Sequence, residues 1–274
     1  MNRRKRGWEP WCLSSFSRVS LRGSPSARVS LFVLPQLNME TTSKLSFIVN
    51  TRHSFSELLR LSRIFTPTCT KIMHIVQTHG SLDLLVNNAG GQFVCLTEEL
   101  SSRGLQAVVN TNLAGTFHAC KYAFEYYMRD HGGSIVNITL GNRNGMPNMV
   151  HSGAARAGVE NMTITLSQEW MESGVRINCV RPGIIWTESG FKNYGPAGDL
   201  FVDRILPSLP AKRFGSPEEV SSAACWLLSE GASYVTGSVV CVDGGSAFHF
   251  LPLIDIEDEN HLPVYGVLPR KAKL

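Results

Sequence analysis

The chain has 274 residues, 43% of them hydrophobic, and its 26 basic and 22 acidic residues leave a formal net charge of +4. This length suits one α/β domain with tails and is short for two large domains, and the mild basic excess does not describe a nucleic-acid-binding surface. The seven cysteines are scattered without metal-ligand spacing and no apolar run approaches the ~20 residues of a membrane helix, so we expect a soluble protein with free thiols, no metal site and no membrane span.

The first 38 residues are basic and rich in serine, with seven Lys or Arg and a single acid, Glu9. This composition fits an organelle transit peptide, and it also fits a disordered tail or a wrongly assigned start, which we favour. Two apolar runs, 29–34 and 45–49, have the length and β-branched content of short buried strands. Residues 54–65 and 71–77 have helical spacing, and Gly80 suits the end of the second helix.

A dinucleotide-binding fold needs a glycine-rich turn after its first strand, so that backbone N–H groups approach the pyrophosphate. The only glycines before Gly80 are Gly7 and Gly23, and neither belongs to such a spacing. No recognisable charged residue closes a second strand, which is the position that separates NAD from NADP. The residues alone therefore leave the cofactor preference open.

After Gly80, strand and helix patterns alternate. Strands are predicted over 82–86, 134–138, 175–180 and 239–242, and helices over 110–131 and 152–170. A further helix begins at Ser216, where Pro217 and two acids suit the first turn. This alternation predicts right-handed crossovers. The expected fold class is α/β, with a doubly wound, Rossmann-like parallel sheet whose first βαβ portion is atypical or incomplete.

Seven short motifs occur in the order and spacing of the short-chain dehydrogenase/reductase family, which the chain resembles from about residue 70 to 248. They are Asn87-Asn88-Ala89-Gly90, Asn112-Leu113, Ile135-Val136-Asn137-Ile138, Arg156-Ala157-Gly158-Val159, Arg176-Ile177-Asn178, Pro182-Gly183 and Val242-Asp243-Gly244-Gly245. Within that family, residues 90–93, 150–159 and 210–213 look most like the peroxisomal trans-2-enoyl-CoA reductases. We therefore expect a dinucleotide-binding reductase domain over 39–248, with the family match from about residue 70, and a tail over 249–274, while the basic composition of 1–38 predicts a disordered leader.

The tail ends in Ala272-Lys273-Leu274, which is similar to the Ser-Lys-Leu address of peroxisomes. We expect the peroxisomal import receptor to bind this tripeptide, and the acidic segment 255–269 to be a solvated tail that presents it. The resemblance also implies an acyl-CoA substrate, NADP as the cofactor with NAD not excluded, and a homo-oligomer. No nucleic-acid partner is expected.

The family's catalytic Tyr and Lys, one helical turn apart, are missing from this chain. The positions of that Tyr and Lys hold Ser152 and Arg156 in this chain. Enoyl-CoA reductases of this type instead resemble one another in a Tyr directly after Ala157-Gly158-Val159 and a Lys four residues later, and here those positions hold Glu160 and Ile164. In the serine slot, Thr139 offers at most a hydroxyl. An arginine titrates too high to act as an acid and a serine is a poor one. Reduction of an activated C=C bond, however, depends more on donors to the thioester oxygen than on a strong acid.

The candidate residues keep alternative interpretations. Ser152 is either a donor to the thioester oxygen or a helix N-cap. His151 is either a proton source or an ordinary helix-end residue, which we favour, and we expect Glu160 to be a solvated helix residue. The resemblance implies catalytic roles for Ser152, Arg156 and Asn112, whose amide would pin a water or backbone near the ribose. It implies cofactor contacts from Asn88, Ala89, Gly90, Asn112, Arg156, Pro182, Gly183, Ile185 and Thr187.

Three functions remain open at this stage. The first is NADPH-dependent reduction of trans-2-enoyl-CoA thioesters in peroxisomes. The second is a catalytically impaired relative with a binding or partner role, or a variant product, because the glycine loop and the Tyr/Lys pair are missing. The third is a dienoyl-CoA reductase or another family member whose proton donor lies elsewhere, with Tyr194 as the first tyrosine to consider.

Overall fold

The structure is a computed structural model that describes residues 20–21, 29–30, 68–141, 143–187, 202, 205–248, 262–269 and 272. The predicted elements over 45–49 and 54–65, and Tyr194, lie outside these residues. Strand β1 (Ser20–Leu21) pairs antiparallel with β2 (Val29–Ser30). The predicted strand over 29–34 is thus described only at its first two residues, and the boundaries of the leader and tail stay predictions.

Four parallel strands form the main sheet, in the order β3 (Leu84–Asn87), β4 (Gly133–Ile138), β5 (Val175–Pro182) and β6 (Val239–Val242). Asn87 lies opposite Asn137, Asn137 opposite Cys179, and Cys179 opposite Val239. The strand ends are therefore brought to one edge of the sheet. The prediction of a parallel α/β sheet is confirmed for this part of the chain.

Helices connect these strands and cover both faces of the sheet. They are α1 (Thr68–His79), α2 (Ser102–Val109), a π-helical turn (Asn110–Ala114), α3 (Gly115–Ala123), a second π-helical turn (Phe124–Met128), α4 (Arg129–His131), α5 (Val150–Glu169) and α6 (Pro217–Leu228). Short 3-10 turns span Thr97–Glu99, Leu206–Ser208, Glu230–Ala232 and Ser246–Phe248. Every helix that the structure describes falls short of the length and apolar content needed to cross a membrane.

The helical stretch before β4 starts earlier than predicted, at Ser102 instead of Asn110. Its N-cap is Ser101, whose side-chain oxygen accepts the Gly104 N–H at 3.1 Å. The N-terminus of α6 has the predicted cap, because Ser216 and Glu219 form a reciprocal capping box with Pro217 in the first turn.

Alternate residues of the central strands enter two separate cores. On one face, Leu85, Ile135 and Ile177 pack with residues of α1, α3 and α5. On the other face, Val86, Val136 and Val180 pack with residues of α6. Burial on both faces explains why consecutive apolar residues, such as Ile135 and Val136, occur in these strands instead of a strict alternation with polar ones. Each fully buried side chain of this kind stabilises the fold by about 1.5–3 kcal/mol.

The described part of the C-terminal tail packs on the body near α6. Ala272 is completely buried with Leu206, Leu209 and Phe214, and its carbonyl accepts the Phe214 N–H at 3.0 Å. The carbonyl of Pro263 accepts a hydrogen bond from Arg213 Nη2 at 3.0 Å. The described residues of the expected solvated segment, 262–269, are exposed or half-buried, but Ala272 of the tripeptide that this segment was expected to present is buried in an apolar site. Lys273 and Leu274 lie outside the described residues.

Candidate active site

Buried amides tie the carboxyl ends of β3 and β4 to helix α5. Asn87 Nδ2 donates to Asn137 Oδ1 at 2.8 Å, and Asn137 Nδ2 donates to Thr163 Oγ1 at 2.9 Å. These hydrogen bonds satisfy polar groups that are expensive to bury unpaired. They fix the position from which the chain leaves β3 into the turn at Asn88-Ala89-Gly90-Gly91.

Asn112 holds this turn from the side. It lies in the π-helical turn that follows α2, and it is buried. Its Oδ1 accepts the Gly91 N–H at 2.9 Å, and its Nδ2 donates to the Gly91 carbonyl at 3.0 Å. A π-helical turn in an α-helix frequently marks a functional site. The amide therefore pins backbone, which is one of the two roles expected for it.

Ser152 lies beside Asn112 and contacts the loop that follows the turn. Its hydroxyl donates to Gln92 Oε1 at 2.7 Å, and Asn112 Nδ2 lies 3.5 Å from its Oγ. The interpretation of Ser152 as a helix N-cap is wrong, because Met149 takes the N-cap position of α5 and makes no side-chain cap. Asn112, Ser152 and Gln92 instead form a hydrogen-bonded chain along the Gly90-Gly91 turn.

Arg156 lies one turn further along α5 and reaches two strand ends. Its Nη1 donates to the Ile138 carbonyl at 2.8 Å and its Nη2 to the Ala89 carbonyl at 3.3 Å. A Cβ at Gly90 would lie 1.8 Å from Arg156 Nη2, so glycine is required for the guanidinium to fit. Burial lowers the pKa of Arg156 to about 10, so the side chain stays cationic at neutral pH.

Glu160, a further turn along α5, is buried in an ion pair. Arg181 donates through Nε to Glu160 Oε1 at 2.8 Å and through Nη2 to Oε2 at 2.5 Å. Thr139 donates to Oε1 at 2.9 Å. The expectation of a solvated Glu160 is therefore wrong, because a guanidinium at the end of β5 draws the carboxylate against the sheet. The Thr139 hydroxyl expected in the serine slot is committed to this pair.

A second group of predicted cofactor residues follows β5. The Gly183 N–H donates to the Val242 carbonyl at 3.0 Å, and a Cβ at Gly183 would lie 2.8 Å from the Asp243 Cα. Ile185 pairs with Gly215 in a parallel bridge. Pro182 is buried and Thr187 is the last described residue of this stretch.

Beside this second group lies a cavity of about 330 Å³ at the ends of β5 and β6. Its walls include Ile184, Ile185 and Val242 on the apolar side and the Arg213–Glu219 pair on the polar side. Burial alone would raise the pKa of Glu219, but hydrogen bonds from Arg213 and from the Ser216 backbone outweigh it and lower the pKa. The cavity thus combines apolar walls with a fixed charge pair.

The residues around Gly90 and Gly91 fit the nicotinamide half of a dinucleotide. Nothing would lie within 4 Å of a Cβ at Gly91, so this backbone is open to a flat ligand. The Arg156 guanidinium beside it presents hydrogen-bond donors, and its buried Nε has no partner within the described part of the chain. Asn88 is half-buried at the same edge. No group of three His, Cys, Asp or Glu among the described residues is arranged to hold a metal ion.

Two residues of the site escaped sequence reasoning. Gln92, the acceptor for Ser152, lies within residues 90–93, which carry part of the family resemblance, but the resemblance implies no role for it. Arg181, the partner of Glu160, precedes Pro182 at the end of a buried strand. An arginine at the end of a buried strand predicts a buried acidic partner, because buried charges need a partner of opposite sign.

A parallel sheet with a glycine turn and polar side chains at its carboxyl edge defines a nucleotide-binding α/β protein. Residues 69–247, well over half of the chain, match the family model described as enoyl-(acyl carrier protein) reductase. The chain therefore belongs to this family, which lies within the short-chain dehydrogenases/reductases, oxidoreductases with a nicotinamide cofactor.

Similar proteins have several substrates. A peroxisomal 2,4-dienoyl-CoA reductase of Danio rerio is 40% identical over 173 residues, which are 62% of this chain and 57% of that protein. Glucose 1-dehydrogenase 2 of Bacillus subtilis is 37% identical over 62% of this chain and 66% of its own length. In the solved structure of a citronellol catabolism dehydrogenase of Pseudomonas aeruginosa, 36% identical, 68% of that chain superposes on 66% of this one with a TM-score of 0.55. The chain thus spans less than two thirds of the peroxisomal relatives it matches.

Proposed function

We propose that this chain is a reductase of acyl-CoA thioesters that carry a C=C bond conjugated to the carbonyl, with NADPH as the reductant. The observation that carries this proposal is the Asn112–Ser152–Gln92 chain beside the open backbone of Gly91. The names of the peroxisomal relatives support a 2,4-dienoyl-CoA as the substrate. A trans-2-enoyl-CoA has the same reacting carbonyl and is the second substrate to test.

The nicotinamide, when bound, supplies the hydride. Arg156, which stays cationic and donates at this turn, and the Gly90-Gly91 backbone would hold its ribose half. Hydride addition to the conjugated system puts negative charge on the thioester oxygen. A hydroxyl donor such as Ser152 stabilises that charge once it turns from Gln92 to the substrate. The carbon atom next to the thioester carbonyl then takes its proton from water.

The family's Tyr and Lys are not needed in this scheme, because the charge that develops on oxygen is stabilised by hydrogen bonding and not by full proton transfer. Glu160 takes no part, since both of its oxygens are bound by Arg181 and one also by Thr139. The residues that act on the ligand are then Asn112, Ser152 and Arg156.

A binding protein without activity is the second candidate. Arg156 favours it, because the guanidinium already fills the space over Gly90 and donates to two backbone carbonyls. A ligand ribose would have to share those donors. The absence of a glycine-rich turn before Gly80 in the sequence favours it as well.

Titration of the tryptophan fluorescence with NADPH and NADH, followed by turnover of 2,4-hexadienoyl-CoA and crotonyl-CoA, separates the two candidates. The reductase proposal predicts saturable NADPH binding and turnover, and failure to bind either dinucleotide would refute it. Ser152→Ala is expected to lower kcat by about 100-fold while the Kd for NADPH stays unchanged, as for loss of one oxyanion donor. The matched control is Ser167→Ala, a buried serine of α5 whose hydroxyl, among the described residues, donates to the helix backbone at Ile164.

Residence in peroxisomes and assembly into a homo-oligomer are parts of the same proposal. The names of the relatives and the Ala272-Lys273-Leu274 ending support the location, with the import receptor as the partner. Receptor binding would require Ala272 to leave its buried position. Microscopy of the chain tagged at its N-terminus tests the location.

A further inference from the structure

We propose that His151 binds the acyl-CoA ligand directly, by a hydrogen bond from its imidazole to a carbonyl or amide group of the thioester arm. The assignment rests on the proposed reductase function and adds a ligand-binding residue to the site. The imidazole becomes available when the loop formed by residues 92–96 moves away from helix α5.

The imidazole is buried without a hydrogen bond to any described residue. His151 is only 1% exposed, and neither Nδ1 nor Nε2 has a partner in the described part of the chain. Buried polar groups nearly always have a hydrogen-bond partner. An imidazole with two unpaired nitrogens in a core position therefore lowers the stability of the fold. A phenylalanine would fill the same space without that cost. A polar group that arrives with a ligand accounts for the histidine.

The position of His151 places it within the candidate active site. Its ring contacts Phe93 edge to face, with ring centroids 4.4 Å apart and an interplanar angle of 82°. The next residue, Ser152, donates to Gln92. Two consecutive residues of α5 thus contact two consecutive residues of one loop. Movement of that loop uncovers the imidazole and frees the Ser152 hydroxyl at the same time.

The loop has the features of a segment that opens. It begins after Gly91, which Asn112 holds in place, and a single described backbone hydrogen bond, from the Cys95 N–H to the Asn148 carbonyl at 2.9 Å, joins it to the loop before α5. Val94 and Leu96 are about half exposed and so contribute little to the core. Few buried contacts and solvent-exposed hydrogen bonds are the marks of low local stability.

The chemistry of the imidazole defines the kind of group it binds. A neutral imidazole has one N–H donor and one acceptor nitrogen, so it can pair with a carbonyl oxygen and with an amide N–H. The arm of an acyl-CoA carries both. The apolar surfaces of Val94 and Leu96 on the covering loop suit the hydrocarbon part of the same ligand.

The test compares His151→Phe with His151→Gln, using octanoyl-CoA as a non-reacting probe for binding and 2,4-hexadienoyl-CoA for turnover. His151→Phe is expected to raise the melting temperature by about 2–4 °C, because it removes two unpaired nitrogens. It is expected to weaken octanoyl-CoA binding and raise KM by about tenfold, with kcat and NADPH affinity within about threefold of the wild type. His151→Gln keeps a donor and an acceptor and is expected to retain most of the affinity. His118→Phe, on the exposed side of α3, is the matched control.

Three outcomes would overturn the assignment, and they are distinguishable. A more stable His151→Phe variant with unchanged octanoyl-CoA affinity shows that the ring only fills space. Binding of NADPH without any octanoyl-CoA binding by the wild type refutes the proposed substrate, and the assignment with it. If His151→Phe does not fold, ¹⁵N-histidine spectra of the wild type decide: the His151 ring signals must shift on addition of octanoyl-CoA, and unchanged signals contradict the assignment.

Discussion

Replacing Arg181 with methionine is expected to destabilise the fold by about 3 kcal/mol. The side chains of Arg181 and Glu160 are only 15% and 11% exposed, and two hydrogen bonds of 2.8 and 2.5 Å join them. Removal of one partner of a buried ion pair leaves an uncompensated charge, which costs about 3–5 kcal/mol. We expect the lower end of this range, because Thr139 still donates to the stranded carboxylate.

A double-mutant cycle measures the pair itself. Glu160→Met is expected to cost about as much as Arg181→Met, since it strands the guanidinium, whose pKa is raised by the hydrogen bonds that it donates to Glu160. The double variant places two apolar chains in the same space and is expected to cost less than the sum of the single changes by about 2–3 kcal/mol. Urea unfolding at pH 7 and 25 °C gives the three free energies, provided that the slopes agree.

The exposed pair Lys121–Glu125 on the surface is the control for this cycle. Its side chains are 44% and 35% exposed and lie 3.6 Å apart, so Lys121→Met is expected to change stability by less than about 0.5 kcal/mol. Additivity of the Glu160 and Arg181 changes to within about 0.5 kcal/mol would refute the reasoning, because it would mean that the two charges are independently solvated.

Two further changes test the C-terminal part of the fold. Gly266→Ala is expected to destabilise by about 1–3 kcal/mol in thermal unfolding, since φ is +101° and the new Cβ would lie 2.3 Å from Glu218 Oε2, whereas Gly80→Ala, with φ +76° and open space, should cost only about 1 kcal/mol. For Glu219, the lowered pKa means that the unfolded chain binds its proton first as the pH falls below about 5, so its stabilising contribution is lost on acidification through the folded pKa. Glu219→Gln should therefore be less stable than the wild type at pH 7, where Arg213 pairs with the charged carboxylate. Its free energy of unfolding should also fall less than that of the wild type between about pH 5 and 3. An equal fall in the two proteins would contradict this.

The strands of the main sheet could be predicted because their physical signal is local. A run such as residues 134–138 is apolar on both faces, and helices on both sides bury it. The start of the long helical stretch could not be predicted as easily. Ser101 caps it within a polar segment that also contains Gly104, a residue that ordinarily disfavours helices. Local sequence therefore offered two opposing signals there.

The site was predictable only in part, because its partners are distant in sequence. A family motif pointed to Asn112, which hydrogen-bonds the Gly91 backbone, while its role beside a cofactor stays a prediction. The bond from Ser152 to Gln92 spans sixty residues, and no pattern in either segment predicts it. The prediction of a solvated Glu160 was wrong for the same reason. Its partner Arg181 is 21 residues away in the sequence, and only the folding of β5 against α5 brings the two side chains together.

Arg156 and Glu160 lie four residues apart on α5, so they share one face of the helix, and both are buried. Each charged group already has partners at the sheet. Arg156 donates to the Ile138 and Ala89 carbonyls, and Glu160 accepts from Arg181. That face carries the phenol and ammonium in typical family members, whereas here the same positions hold Ser152 and Arg156, which supply hydrogen-bond donors and a cation but are not suited to give up a proton near neutral pH. Interconversion of an alcohol and a ketone needs a proton donor, because the oxygen itself must be protonated. Reduction of a conjugated C=C bond needs only that the oxygen be stabilised, so within the proposed function the substitutions restrict the reaction class more than they exclude reaction.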